Sequence, residues 1–139
     1  MKVVLLHDGG SDEWSATDVA AVLGNIREVE QILRATGHTT ETVAVYLGDL
    51  AWLDRCQKAD LVCLQEIKAQ ESDLPREILA PRKLHAFFHP AEKKGYSGVA
   101  VYARKEPDRA VLGLGIGDID AQGRYLQLDY GNLSVVSIY

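Results

Sequence analysis

The stretch that decides the fold reads ADLVCLQE and occupies residues 59–66. Its centre is continuously apolar, which is typical of a strand buried on both faces and predicts a strand over Asp60 to Gln65. Similar short apolar runs occur at Lys2 to His7 and at Thr42 to Leu47. Because helical patterns separate the three runs, the sequence predicts βαβ units with a parallel sheet and right-handed crossovers.

The first of these helical patterns has clear boundary signals. Ser15 and Asp18 have the spacing of a capping box at its start, and Gly37 is a typical residue just beyond a helix end. Apolar residues recur between them at helical spacing, at Val22, Ile26, Val29 and Leu33. A shorter helix is predicted over Asp49 to Gln57.

After Glu66 the pattern changes to consecutive strands with short turns, which predicts antiparallel pairing. The predicted strands are Leu84 to His89, Val99 to Ala103, Arg124 to Tyr130 and Leu133 to Tyr139. Gly131-Asn132 is a tight hairpin signal between the last two. We therefore predict an α/β fold with a single mixed sheet, parallel βαβαβ first and antiparallel later, with helices packed on it. Residues 1–139 are expected to form one domain made of two segments, 1–62 and 63–139.

The charge is distributed unevenly along the 139 residues. The net charge of -5 argues against a generally basic protein that binds nucleic acid. Residues 1–62 contain 5 basic and 10 acidic side chains, whereas residues 63–139 contain 10 of each. All of the net charge therefore lies in the first segment, and a local basic patch remains compatible with the second.

No apolar run approaches the ~18 residues that span a bilayer, so no membrane association is expected. The first residues lack a signal-peptide pattern, since Asp8 and Gly9 interrupt the apolar run. Cys56 and Cys63 are interpreted as reduced thiols. Together these features predict a cytoplasmic protein.

Glu66 is the most suggestive single residue. A carboxylate at the C-terminal end of a central strand lies where α/β sheets hold ligands and metals. Asp8 lies at the corresponding end of the first strand and is a candidate second carboxylate for Mg²⁺. Alternatively, both are solvated acids outside any site. No other cofactor is predicted, because the four histidines have no zinc spacing.

Basic and aromatic residues are interleaved in the second segment, a pattern that can follow a phosphate backbone. The basic residues are Arg82, Lys83, Lys93, Lys94, Arg104 and Lys105, and the aromatic ones are Phe87, Phe88, Tyr96 and Tyr102. The alternative is a solvated surface over core aromatics.

Residues 59–70, 89–100, 104–109, 123–126 and 131–136 closely resemble the exonuclease III family of apurinic/apyrimidinic (AP) DNA endonucleases. The resemblance covers about residues 59–139. It implies that Glu66 is a magnesium ligand and that Tyr139 contacts the scissile phosphate. It also places Lys93 to Ser97 in a DNA-facing loop. The implied nucleic-acid-binding residues are Lys68, Lys93, Lys94, Tyr96 and Ser97.

Residues 1 to about 62 instead resemble the N-terminal domain of D-alanine–D-alanine ligases, through their βαβαβ layout and Gly9-Gly10-Ser11. That resemblance makes Glu13 the nearest candidate for a substrate-positioning acid. The two resemblances meet at Asp60 to Cys63, which suggests an engineered chimera.

From these resemblances we expect a folded, non-enzymatic chimera with Glu66 and Tyr139 as relics of a site, needing neither cofactor nor partner. One alternative is a weak Mg²⁺-dependent nuclease or abasic-DNA-binding remnant. Another is a module that self-associates through an uncovered sheet face.

Overall fold

A computed structural model describes residues 2–8, 15–46 and 50–139, with the backbone alone at positions 7 and 8. The chain divides into two compact units, Met1–Val62 and Cys63–Tyr139. The elements of the first unit are β1 (Lys2–Asp8), α1 (Ala16–Ala35), β2 (Thr39–Val45), α2 (Ala51–Cys56) and the start of β3 (Leu61–Gln65). The second unit contains the end of β3, a 3-10 turn (Glu71–Asp73), α3 (Arg76–Leu79), β4 (His85–His89), β5 (Val99–Ala103), β6 (Arg109–Leu112), α4 (Gly117–Asp120), β7 (Tyr125–Tyr130) and β8 (Leu133–Ile138).

The strands of the first unit are parallel and follow the order β2-β1-β3. Lys2 pairs with Thr39 at the start of the β1–β2 ladder, and Val3 pairs with Leu61 of β3. β1 is the middle strand of the three, and its Val4 side chain is buried. The predicted parallel βαβαβ arrangement is therefore confirmed.

Helix α1 begins at the predicted capping box. The Ser15 hydroxyl accepts a hydrogen bond from the Asp18 N–H at 3.2 Å, and the Asp18 carboxylate accepts from the Ser15 N–H at 3.0 Å. The chain leaves the helix at Gly37, which has φ +84. No α1 residue is fully buried, and Val29, expected on the inner face, is exposed.

The core of the second unit lies on β5, whose five residues Val99–Ala103 are all buried. β5 pairs antiparallel with β4 in a register from His85–Ala103 to His89–Val99, and in the other direction neighbours β3. The Tyr102 ring meets the Phe88 ring edge-on at 5.8 Å, and its hydroxyl donates to the Ile78 carbonyl at 3.0 Å. The buried phenol is thus both packed and hydrogen-bonded.

The mixed α/β class is confirmed, with parallel strands in the first unit and antiparallel strands in the second. The prediction of a single sheet is wrong, because the last three strands form a separate antiparallel sheet of order β6-β7-β8. β6 escaped prediction because it has only four residues and begins with the charged Arg109. Leu126 and Leu128 of the sheet's central strand, β7, are completely buried.

Within residues 2–8, 15–46 and 50–139, no helix combines the length and the apolar character needed to cross a membrane. Both cysteines are free thiols, as expected.

Candidate nucleic-acid interface

Glu66 follows β3 in an unusual backbone conformation. Glu66 and Lys68 both have positive φ, +56 and +49, which side chains other than glycine seldom adopt. The N–H of Ile67 donates to the Gly98 carbonyl at 3.1 Å, and that of Lys68 to the Ser97 carbonyl at 2.8 Å. These bonds hold the strained turn against the loop that precedes β5. A backbone conformation of this kind persists only where the surrounding structure fixes it, and it is found most often at functional sites.

The end of β8 is fastened beside the end of β3. The Ser137 hydroxyl donates to the Leu64 carbonyl at 3.2 Å, and the Gln65 amide donates to the Ile138 carbonyl. Tyr139 follows directly, and its phenol and the Glu66 carboxylate are close enough for each to shift the pKa of the other. Two segments that are distant in sequence therefore place an acid and a phenol together.

Lys68 completes this cluster, with Nζ 2.8 Å from Oε1 of Glu66. The hydrogen bonds from Lys68 and then Tyr139 lower the pKa of the Glu66 carboxyl, against the opposing effect of partial burial. Partial burial and the bond to Glu66 raise the pKa of the Tyr139 phenol. The Lys68 side chain is 56% exposed and that of Glu66 is 44% exposed, so the cluster is open to a ligand from solution.

Arg124 links Tyr139 to a second tyrosine, Tyr96. Its guanidinium carbon lies 5.0 Å from the Tyr139 ring centre and 5.7 Å from that of Tyr96. Its nitrogens donate to the Tyr139 carbonyl at 3.1 Å, to the Tyr96 hydroxyl at 3.0 Å and to the Gln122 side chain at 2.8 Å. Lys93 Nζ lies 5.5 Å from the Tyr96 ring centre, which adds a further cation.

Three of the five predicted nucleic-acid-binding residues, Lys68, Lys93 and Tyr96, are thereby linked through contacts to the predicted site residues Glu66 and Tyr139. Lys94 instead pairs with Asp73 at 2.9 Å and is 75% exposed. Ser97 is only 2% exposed, and its hydroxyl has no hydrogen-bond partner among the described residues. It contributes to the loop through its carbonyl, which accepts from Lys68.

The interleaved basic cluster proposed from the sequence is divided by the structure. The β4–β5 register places Lys93 and Lys94 in the loop at one end of this strand pair. Arg82, Lys83, Arg104 and Lys105 flank its other end. Each strand spans about 13 Å at ~3.3 Å per residue, so the two groups do not form one patch. The sequence alone could not show that the basic residues form two groups, because their separation depends on how β4 and β5 pair.

The described residues supply Mg²⁺ with too few ligands for a complete centre. Mg²⁺ prefers near-octahedral oxygen ligands and is usually held by one or two carboxylates with substrate oxygens. No group of three or more His, Cys, Asp or Glu residues that could hold a metal occurs in the described part of the chain. Glu66 supplies one carboxylate, and the Lys68 ammonium engages it. The side chain of Asp8 lies outside the described residues, as does Glu13, so both of those assignments stay predictions.

Sequence reasoning missed Arg124 and Gln122 as members of the site. Gly123-Arg124 lay inside a stretch that carried the family resemblance, but nothing in the local pattern indicates which side chains an arginine contacts. The signal that could have pointed to it is Gly123. Its φ is +60, and an added Cβ would lie 2.4 Å from the His89 carbonyl oxygen. Glycine therefore allows the turn before Arg124 to approach the backbone at the end of β4.

Curated relatives are DNA-processing enzymes. The chain is 37% identical over 83 residues to an exodeoxyribonuclease of Bacillus subtilis, covering 60% of this chain and 32% of that protein. It is 35% identical over 92 residues to the DNA repair nuclease APEX1 of Danio rerio, covering 65% and 29%. The chain thus spans about a third of the length of these relatives.

Solved structures agree. An AP endonuclease from Archaeoglobus fulgidus matches with a TM-score of 0.52 and 26% identity, covering 63% of this chain and 33% of that one. A 3'-5' exonuclease from Neisseria meningitidis matches with a TM-score of 0.51 and 19% identity, covering 99% and 40%. At that identity the second match shows a shared fold alone.

These findings correct the interpretation of the first segment. A single family model, described as the Endonuclease/Exonuclease/phosphatase family, matches residues 15–139 and so includes most of the segment assigned to a ligase. The ligase resemblance rested on a βαβαβ layout that many unrelated α/β proteins share, and such a layout cannot identify a family. The prediction of a non-enzymatic engineered chimera is therefore wrong. The chain belongs to the Endonuclease/Exonuclease/phosphatase family.

Proposed function

We propose that this chain forms the phosphate-binding part of a DNA nuclease, with the Tyr139–Glu66–Lys68 cluster facing the phosphodiester. The observation that carries the proposal is the 2.8 Å ion pair between Glu66 and Lys68 with Tyr139 beside it, held at the end of β3 by a turn of positive φ and open to solution. The abasic-DNA-binding or nuclease alternative agrees with the relatives named above. Because the chain spans only about a third of their length, its own substrate and activity remain proposals.

Charge and stacking support DNA as the ligand. Lys68 and Lys93 place two ammonium groups on the exposed side of the cluster. Cations arranged in this way neutralise successive backbone phosphates and make binding depend on salt. Tyr96 is exposed beside them and offers a ring on which an unpaired base can stack.

Glu66 would be the protein carboxylate directed toward Mg²⁺, and bound Mg²⁺ would polarise the phosphoryl oxygen as a Lewis acid. The remaining ligands would have to come from substrate or from residues outside those described, Asp8 among the candidates. Tyr139 would orient the carboxylate through its hydroxyl. Lys68 would hold Glu66 in its charged form until substrate arrives.

Retention of an abasic-site duplex across a salt series tests the binding part of this proposal. We expect retention by the unmodified chain to fall steeply with salt, and Lys68→Ala or Lys93→Ala to reduce the logarithmic slope by about 1 each. Lys105→Ala is the charge-matched control, because Lys105 lies at the other end of the β4–β5 pair. Absence of retention, or an equal loss in Lys105→Ala, would overturn the proposal.

Cleavage of the same duplex in Mg²⁺ tests the nuclease part separately. Glu66→Gln should abolish the cleavage, whereas Glu71→Gln, which alters an acid on the 3-10 turn, should not. The catalytic role of Glu66 would be overturned if the chain showed no Mg²⁺-dependent cleavage, or if Glu66→Gln cleaved as well as the unmodified chain. DNA binding is tested separately by the retention experiment.

We also propose that a second copy of the chain covers the face of the β6-β7-β8 sheet on which Val136 and Ile138 lie. Both side chains are exposed, and they share a face because they are two residues apart on β8. An exposed apolar face of this kind favours association. Light scattering should show a mass that rises with concentration and returns to one chain in Val136→Lys. A single chain at every concentration would contradict this proposal.

A further inference from the structure

We propose that Arg124 is the positioning residue of this interface, joining Tyr96 and Tyr139 into one DNA-facing surface rather than contacting the phosphate itself. This inference rests on the proposed function and concerns a residue that the sequence patterns did not single out.

The Arg124 guanidinium is already engaged through all three of its nitrogens and lies close to two tyrosine rings. Three of its five N–H groups, one on each nitrogen, donate to the Gln122 side chain, to the Tyr96 hydroxyl and to the Tyr139 carbonyl over distances of 2.8–3.1 Å. Its carbon lies within cation–π distance of both tyrosine rings. These three bonds fix the position of the guanidinium, and the two N–H groups that they leave over stay where the bonds hold them, so the geometry favours an organising role.

The partners of Arg124 come from three separate parts of the chain. Tyr96 belongs to the loop between β4 and β5, Gln122 to the turn after α4, and Tyr139 follows β8. Gln122 is itself fixed, because its amide donates to the Asp118 carbonyl at 3.0 Å. One guanidinium therefore cross-links a loop, a turn and a strand end.

The backbone around Arg124 reinforces this link. The Tyr139 N–H donates to the Arg124 carbonyl at 3.0 Å, and the Glu92 N–H donates to the Ala121 carbonyl at 2.9 Å. Gly123 permits the close approach of this turn to the end of β4. Tyr139 in turn holds Glu66 through its hydroxyl. A displacement of Arg124 would therefore reach the Glu66 cluster through Tyr139.

Lysine cannot replace arginine in this role. A lysine keeps the positive charge and three donors, but all three radiate from one nitrogen, so it cannot reach the three separate acceptors that the planar guanidinium reaches through three nitrogens. A residue that acts only by attracting phosphate would be rescued by lysine. A residue that positions two tyrosines would not.

The test measures retention of the abasic-site duplex by Arg124→Gln, Arg124→Lys and the control Arg82→Gln. We expect about tenfold weaker retention for both Arg124 variants, the size of losing one charge-assisted hydrogen bond, and little change for the control. A non-additive effect of Tyr96→Leu, smaller in the Arg124→Gln background than alone, is also expected because the two residues act together. Full rescue by Arg124→Lys, or additive effects, would overturn the inference.

A second measurement needs no DNA, so it separates failure of this inference from failure of the proposed function. In chain labelled with carbon-13 at the tyrosine rings, Arg124→Lys should shift the signals of both Tyr96 and Tyr139, assigned from the Tyr96→Phe and Tyr139→Phe variants. The signal of Tyr130, whose hydroxyl donates to the Lys105 carbonyl, should stay in place. Unchanged Tyr96 and Tyr139 signals would overturn the positioning role even if DNA binds.

Discussion

Gly123→Ala probes the close approach on which the interface depends. An alanine Cβ at this position would lie 2.4, 2.6 and 2.7 Å from backbone atoms of His89, Pro90 and Ala91. Backbone atoms cannot rotate away as a side chain does. The turn before Arg124 and the start of the loop must therefore separate to accept the methyl group.

Gly131→Ala is a matched control for this substitution. Gly131 has φ +59, against +60 for Gly123, but an added Cβ there would meet nothing within 4 Å. Both variants place alanine in the left-handed region, which costs about 1–2 kcal/mol. Only Gly123→Ala adds overpacking, for about 1–3 kcal/mol more. We expect about 1–2 kcal/mol of destabilisation for the control and about 2–5 kcal/mol for Gly123→Ala.

Urea denaturation followed by circular dichroism gives the two free energies of unfolding. Hydrogen exchange at the Glu92 amide reports locally on the close approach of Gly123 to residues 89–91, because that amide donates to the carbonyl of Ala121, two residues before Gly123. Its exchange should be faster in Gly123→Ala and unchanged in Gly131→Ala. Equal destabilisation by the two variants, with equal Glu92 exchange, would refute the close approach.

Three further predictions concern the acid, the core and the buried thiol. The folded-state pKa of Glu66 lies below the ordinary 4.5, so the stability that its charge contributes is complete above pH 4.5 and is lost as the pH falls through the lowered pKa. The free energy of unfolding of Glu66→Gln should therefore match that of the unmodified chain only at low pH. A difference that stays constant with pH would contradict the bonds to Glu66. Leu128→Ala should cost about 2–5 kcal/mol in urea denaturation because Leu128 is fully buried, whereas the exposed Leu114→Ala should change stability by less than about 0.5 kcal/mol. Burial, followed by the nearby Glu41 charge, raises the pKa of Cys56 to about 12, so iodoacetamide should modify it at pH 8 only after unfolding, and rapid modification of the folded chain would contradict its burial.

The sequence pattern predicted the long, regular elements well. The alternation of apolar runs and helical spacing located β1, α1, β3 and β5, because each carries a continuous or periodic apolar pattern in its sequence. The Ser15–Asp18 capping box was predicted to the residue, since capping depends on side chains three positions apart. The four-residue β6 was missed, because its charged start and short length resemble a loop.

The site was predictable only where its chemistry is local. Glu66 was identified because it directly follows a buried strand, and Tyr139 was indicated only by the family resemblance. Arg124 could not be found in either way, because its contacts join segments up to 28 residues apart in the chain. The family of the first segment was misjudged for a related reason, since a βαβαβ layout describes topology and carries no information about chemistry.

The most direct test of the central claim is a map of amide chemical shifts in the labelled chain as an abasic-site duplex is added. We expect the largest changes at Glu66, Lys68, Lys93, Tyr96 and Tyr139. We expect little change at Arg82 and Lys105, which lie beyond the other end of the β4–β5 pair. Changes centred on that other end, or no change at Glu66 and Tyr139 while DNA is bound, would contradict the central claim.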